Sequence, residues 1–135
     1  MPKAIGIDFG LKRTGIAITD ELRIIASPLD VVESSKLMDY LVQLTSREKI
    51  ELFVLGYPTR LDGSDSHVTE NVRILKLEIE KTFPTIQVVF QDERFSSSES
   101  RRAIHAVGKK KQQKNKGLVD KISAAIILQD YLRNI

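Results

Sequence analysis

The sequence predicts an α/β fold: a mixed five-stranded sheet flanked by helices on both faces. Three observations carry this reading. Residues 4–20, 22–33, 51–56 and 85–91 contain short runs with strand length and strand patterning, the first of them folded back on itself. The first three strands follow one another with only turn residues between them. Each of the last two is preceded by a segment of helical periodicity, the arrangement of helix-connected parallel strands.

Residues 4–20, AIGIDFGLKRTGIAITD, set the centre of that sheet. Ile5, Ile7 and Phe9 alternate with Ala4, Gly6 and Asp8, so both faces are apolar or small and both should be covered. Asp8 is the exception, since a carboxylate among such neighbours is costly unless a cation or hydrogen-bond donors compensate it. Gly10–Arg13 makes the turn and a second strand returns antiparallel. Residues 22–33 form a third extended segment, with Pro28 marking an edge or a bend.

Ser34 or Ser35 is positioned to cap a helix of roughly residues 36–48, with Leu37, Tyr40, Leu41 and Leu44 on one face. The apolar run 51–56 then reads as a buried parallel strand and 57–65 as a loop. Asp65 or Ser66 caps the next helix, where Val68, Val72, Leu75 and Ile79 recur at helical spacing. Residues 85–91 are the last strand, ending at Asp92-Glu93-Arg94. Ser96 and Glu99 fit a capping box for a helix to about Ala106, closed by Gly108 and followed by a lysine-rich loop. The final helix runs from about Leu118 and is expected to bury Val119, Ile122, Ala125, Ile126 and Leu132.

Composition narrows the chemistry. With 135 residues and 41% hydrophobic content, residues 1–135 fit one domain with a substantial core. The absence of Cys excludes disulfides, thiolate zinc sites and Cys nucleophiles, and His67 and His105 are too far apart for a local zinc motif. A catalytic metal should then be a hard cation on carboxylate oxygen, Mg²⁺ or Mn²⁺. No apolar run reaches membrane-spanning length and no signal-peptide pattern opens the chain, so a cytoplasmic location and no membrane partner are expected. Residues 101–116 hold Arg101, Arg102, Lys109, Lys110, Lys111, Lys114 and Lys116 and no acid, in a chain of net charge +3. A basic arm on an otherwise acidic domain points to a polyanion.

Three acids stand where a structural role explains them least: Asp8 near the end of the first strand, Glu93 just past the last, and Asp120 in the opening of the final helix. If they converge, their mutual repulsion calls for divalent cations between them. That is the requirement of a two-metal phosphodiesterase site, with one ion activating water and the other stabilising the leaving oxygen. Lys12 and Arg13 beside Asp8, and Arg94 beside Glu93, are placed to meet the phosphate; salt bridges to Asp20 or Asp92 are the structural alternative. Glu99 is accounted for by its capping box and Asp62 and Asp65 by their turn, while Asp92 stays open.

GIDFGLKRTGIA, GYPTRLDGS, DERFSSSES and KGLVDKISAAIILQDYL, in that order, resemble the YqgF-type (RuvX-like) family over nearly the whole chain. Its members are described as pre-16S rRNA nucleases and as Holliday junction resolvases. The resemblance implies a ribonuclease H-like fold and an acidic site at Asp8, Glu93 and Asp120; the sequence departs from it at Ser100, where alanine is common. It implies a Mg²⁺-dependent endonuclease acting on structured RNA, pre-rRNA in ribosomal particles, with a DNA junction as the alternative substrate and a monomer or homodimer as the active form. Two further classes compete. A non-catalytic ribosome-associated RNA-binding module would keep the basic arm without using the acids. The Asp-x-Gly hairpin also resembles the phosphate-binding hairpin of sugar kinases and actin-like ATPases, but those need two such domains.

Overall fold

The structure, a computed structural model, describes residues 2–57, 68–92 and 116–133. Among these, strands β1 (Lys3–Phe9), β2 (Arg13–Thr19), β3 (Ala26–Glu33), β4 (Ile50–Tyr57) and β5 (Gln87–Asp92) form a sheet in the order β3-β2-β1-β4-β5. Helices α1 (Leu37–Arg47), α2 (Thr69–Thr82) and α3 (Lys116–Arg133) complete the described elements. The first three strands meander antiparallel, and β4 and β5 add in parallel beside β1. β1 is therefore the central strand, as its two covered faces predict.

Strand alternation divides the core into two unlike halves. Ile5, Ile7, Ile16, Phe53, Leu55 and Val88 face α1 and α2, meeting Leu37, Leu41 and Leu44 of the one and Val72, Leu75 and Ile79 of the other. Each such large side chain contributes roughly 1.5–3 kcal/mol by leaving water, so this face supplies most of the apolar stabilisation. On the opposite face β1 and β2 contribute small residues. Ala4, Ala17, Leu52 and Val54 pack on Ala124, Ala125, Ile127 and Leu128 of α3. A Cβ on Gly6 would lie 2.7 Å from Leu128 Cβ and 2.8 Å from the Ala124 carbonyl, so α3 sits almost directly on the backbone of β1.

Several boundaries and faces differ from those predicted. β3 begins at Ala26, not at residue 22, because residues 20–25 make a held turn. The Asp20 carboxylate accepts the N–H groups of Ile24 and Ile25, and Arg23 takes a left-handed φ of 56° while its guanidinium pairs with Glu51. Pro28 does lie on the edge strand, beside a bulge in which Leu29 is the extra residue. Neither Ser34 nor Ser35 caps α1; a 3₁₀ turn over Ser34–Lys36 leads into it, and Lys36 is at the N-cap without a side-chain bond. Val68 precedes α2, also without a side-chain cap, and Asp65 and Ser66 lie outside the described residues.

The last correction concerns α3. It starts at Lys116, two residues earlier than predicted; Ala125 is buried as expected, together with Ser123, Ala124, Ile127 and Leu128, whereas Ile122, Ile126 and Leu132 are only half-buried and the side chain of Val119 lies outside those described. The helix is apolar on more than one side, so periodicity alone offers two stripes. The floor of Ala4, Gly6 and Ala17 selects the stripe whose small residue, Ala124, lets the backbones approach. Gln129 fixes the far end, accepting from Ala26 N–H at 3.0 Å and donating to the Ile24 carbonyl at 3.1 Å. Among the described residues, no helix is long and apolar enough to cross a membrane.

Candidate active site

Because β1, β4 and β5 are parallel, their carboxyl ends share one edge of the sheet. The antiparallel partners bring the start of β2 and the end of β3 to that same edge, where Arg13 is opposite Glu33. In α/β sheets this edge is the usual place for a site.

Asp8 sits there on the α3 face, following Ala4 and Gly6 in the alternation, and is half-buried. Its register partner on β2 is Gly15. A Cβ on Gly15 would fall 2.0 Å from the Asp120 carbonyl oxygen and 3.0 Å from Lys121 N. The bare Gly15 backbone therefore lets α3 descend onto β2 beside Asp8. Asp120, the fifth residue of α3, is carried to the same edge by that contact.

Arg13 completes the described cluster. Its Nε donates to Asp120 Oδ2 at 2.9 Å, an ion pair with both side chains partly open to solvent. The structural alternative of an Arg13–Asp20 bridge is thereby excluded. Asp20 follows the other end of β2 and is engaged by its own turn. The backbone N–H of Ile25, followed by that of Ile24, holds its carboxyl below the usual carboxylate range despite some desolvation.

The turn between β1 and β2 is tight. A Cβ on Gly10 would lie 2.6 Å from the Arg13 carbonyl oxygen, which accounts for glycine at that position. Lys12 and Arg13 are both exposed on this turn, at the edge where a polyanion could reach Asp8.

The structure thus brings Asp8, Asp120, Lys12 and Arg13 together. Glu93, Arg94, Lys109, Lys110 and Lys111 lie outside the described residues. β5 nevertheless delivers the chain to this edge, with Gln91 level with Gly56 and Asp92 level with Tyr57. Glu93 is the next residue in the sequence. Among the described residues no group of three or more His, Cys, Asp or Glu could hold a metal ion. The donor chemistry at the edge nevertheless suits Mg²⁺ or Mn²⁺: Asp8 and Asp120 offer hard carboxylate oxygens and the chain has no Cys.

Sequence reasoning misses two features of this cluster. One is the Arg13–Asp120 pair, which joins residues 107 apart. The other is Ser34, which the pair of adjacent serines makes look like a cap; its bonds go to the turn at Gly10 and Thr14 instead. Only the strand register, which brings Arg13 opposite Glu33, could have placed Ser34 near that turn.

Known proteins resemble this chain in sequence or in fold. A protein of Flavobacterium johnsoniae named "Putative pre-16S rRNA nuclease" is 41% identical over 133 residues, covering 98% of this chain and 96% of its own. One of the same name from Porphyromonas gingivalis is 42% identical over 135 residues, covering 99% and 98%. Among solved structures, Thermus thermophilus RuvC in complex with a Holliday junction substrate superposes with a TM-score of 0.60 at 13% identity, covering 99% of this chain and 96% of that one. Fowlpox virus resolvase with its Holliday junction DNA gives 0.55 at 12% identity, covering 98% and 97%. At such identities the likeness shows the fold, which is ribonuclease H-like. The model of the RuvX family, described as a Holliday junction resolvase, matches residues 2–134, and the chain belongs to that family.

Proposed function

We propose that this chain is a metal-dependent endonuclease that hydrolyses phosphodiester bonds in structured nucleic acid, acting in 5′-end processing of pre-16S rRNA in the cytoplasm. The observation that carries the reading is the Gly15 contact, which seats the Asp120 turn of α3 beside Asp8 at the carboxyl edge of the sheet. The names of the relatives support rRNA as the substrate.

Asp8, Glu93 and Asp120 would hold two divalent ions, Mg²⁺ or Mn²⁺. When bound, the ions lower the pKa of water and neutralise charge on the leaving oxygen. The chain's own residues do the rest. Arg13 and Lys12 meet the phosphate from the β1–β2 turn, with Arg94, next to Glu93 in the sequence, as a further phosphate contact. Arg13 can exchange its partner at little cost, since a solvent-exposed ion pair is worth only about 0–1 kcal/mol. The Arg13→Ala and Arg94→Ala variants are accordingly expected to lose cleavage by about tenfold or more. Melting of Arg13→Ala should stay within about 4 °C of the parent. A fall in melting temperature in step with activity would make these arginines structural.

Lys109, Lys110 and Lys111 supply affinity without sequence choice. Neutralising all three should weaken every nucleic-acid substrate to a similar degree. The slope of log affinity against log salt should shrink by up to about 0.9 for each duplex phosphate that is no longer neutralised. Unchanged affinity and slope would leave the segment as a solvated loop.

The family model's description favours a second substrate, the Holliday junction. A two-fold symmetric junction calls for a homodimer, whereas an rRNA end can be cut by a monomer. Cleavage of precursor rRNA ends, single-stranded RNA and DNA junctions under one set of conditions separates the two. Preferential cutting of the rRNA precursor supports the reading, and preferential cutting of the junction replaces it. Tight RNA binding without cleavage in Mg²⁺ or Mn²⁺ would indicate a non-catalytic binding module.

A further inference from the structure

Ser34 stands where β3 hands over to the 3₁₀ turn, yet its bonds point across the sheet edge to the β1–β2 turn. Its backbone N–H donates to the Lys12 carbonyl at 3.0 Å. Its hydroxyl donates to the Gly10 carbonyl at 2.5 Å. A serine hydroxyl has one proton to give, so the 2.8 Å contact with Thr14 Oγ1 must be donated by Thr14. Thr14 itself is fully buried and pairs with Phe9 in the hairpin.

All three partners belong to the segment Gly10–Thr14, whose exposed side chains include Lys12 and Arg13. A chain of two hydroxyl bonds thus runs from a fixed point in the sheet, Thr14, through Ser34, to the first carbonyl of the turn. The backbone bond to Lys12 holds its middle. Arg13, exposed and long, keeps its guanidinium beside Asp120 from this restrained backbone.

We infer that Ser34 is a positioning residue for nucleic-acid phosphate, holding the turn so that Arg13 meets the phosphate beside Asp120. This rests on the nuclease reading of the site. Ser34 has no contact with the reacting atoms in this role. It acts through Arg13, and its removal should cost binding without removing chemistry.

A double-mutant cycle tests it, with wild type, Ser34→Ala, Arg13→Ala and the double variant binding an RNA duplex with a single-stranded end in Ca²⁺. Ser34→Ala should bind three- to tenfold more weakly, with a lower salt slope. In the Arg13→Ala background the same change should alter affinity by less than about twofold. Ser34→Thr, which retains the hydroxyl, should bind like the parent. Should Ser34→Ala melt below the assay temperature, Ser34→Cys makes the same comparison with a weaker donor of similar size.

Loss of binding in Arg13→Ala with none in Ser34→Ala overturns this inference alone. Equal losses from Ser34→Ala in both backgrounds do the same, since they would make Ser34 independent of Arg13. Unchanged binding in Arg13→Ala overturns the proposed phosphate contact and this inference with it.

Discussion

Asp8→Asn, Glu93→Gln and Asp120→Asn should each lose Mg²⁺-dependent cleavage by at least about 100-fold while the chain stays folded. Changing residues that merely orient metal ligands typically costs 10–100-fold, so loss of a ligand itself should cost no less. All three variants should melt close to the parent in the metal-free state: each change relieves repulsion among the acids, and Asp120→Asn also gives up its partly exposed 2.9 Å pair with Arg13, which is worth only about 0–1 kcal/mol. Single-turnover cleavage and thermal melting on the same preparations check both parts. Wild-type cleavage in all three would remove the acids from the chemistry; destabilisation of all three with intact cleavage would make them structural.

Gly15→Val should be the most damaging substitution in the sheet. The added Cβ alone would sit 2.0 Å from a backbone carbonyl of α3, a contact no rotamer change can relieve. Either α3 lifts from the sheet or β2 shifts against β1. The first separates Asp120 from Asp8, and the second breaks the register that sets Asp8 opposite Gly15. Overpacking of this kind costs about 3 kcal/mol or more, which corresponds to a fall of roughly 10 °C in a chain of this size. Cleavage should disappear even at temperatures where the variant is folded. Gly15→Ala should fail in the same direction, since the clash is with Cβ itself. Gly10→Val should be milder in stability because its Cβ would stop 2.6 Å from the Arg13 carbonyl oxygen, a smaller overlap than the 2.0 Å at Gly15. A Gly15→Ala variant that melts like the parent would show that α3 docks elsewhere on β2.

Much of this is written locally. The alternation of residues 4–9 is enough to place β1 at the centre, and a meander followed by helix-linked strands leaves few topologies open. Asp8 stands out because a carboxylate in that setting needs a reason. What local patterns do not reveal depends on which elements meet. Periodicity picks out Ala125 of α3 but misses Ala124, Ile127 and Leu128, because the packing is decided by the glycine and alanines of β1 and β2, not by the helix itself. Ser34 looks like a cap because serine before an apolar helix usually is one. Its preference for Gly10 and Thr14 follows from the pairing of β3 with β2, which brings two segments 20 to 24 residues apart within bonding distance. Arg13 and Asp120 are linked only through the approach of α3 at Gly15.

The most direct test of the account is a calorimetric titration of Mn²⁺ into the metal-free chain, without nucleic acid. It would be run on wild type, Asp8→Asn, Glu93→Gln and Asp120→Asn. Shared acids predict saturable binding in wild type that weakens at least about tenfold in every variant, most of all in Asp8→Asn. Equal Mn²⁺ affinity in all four chains would contradict a metal site built from these three carboxylates.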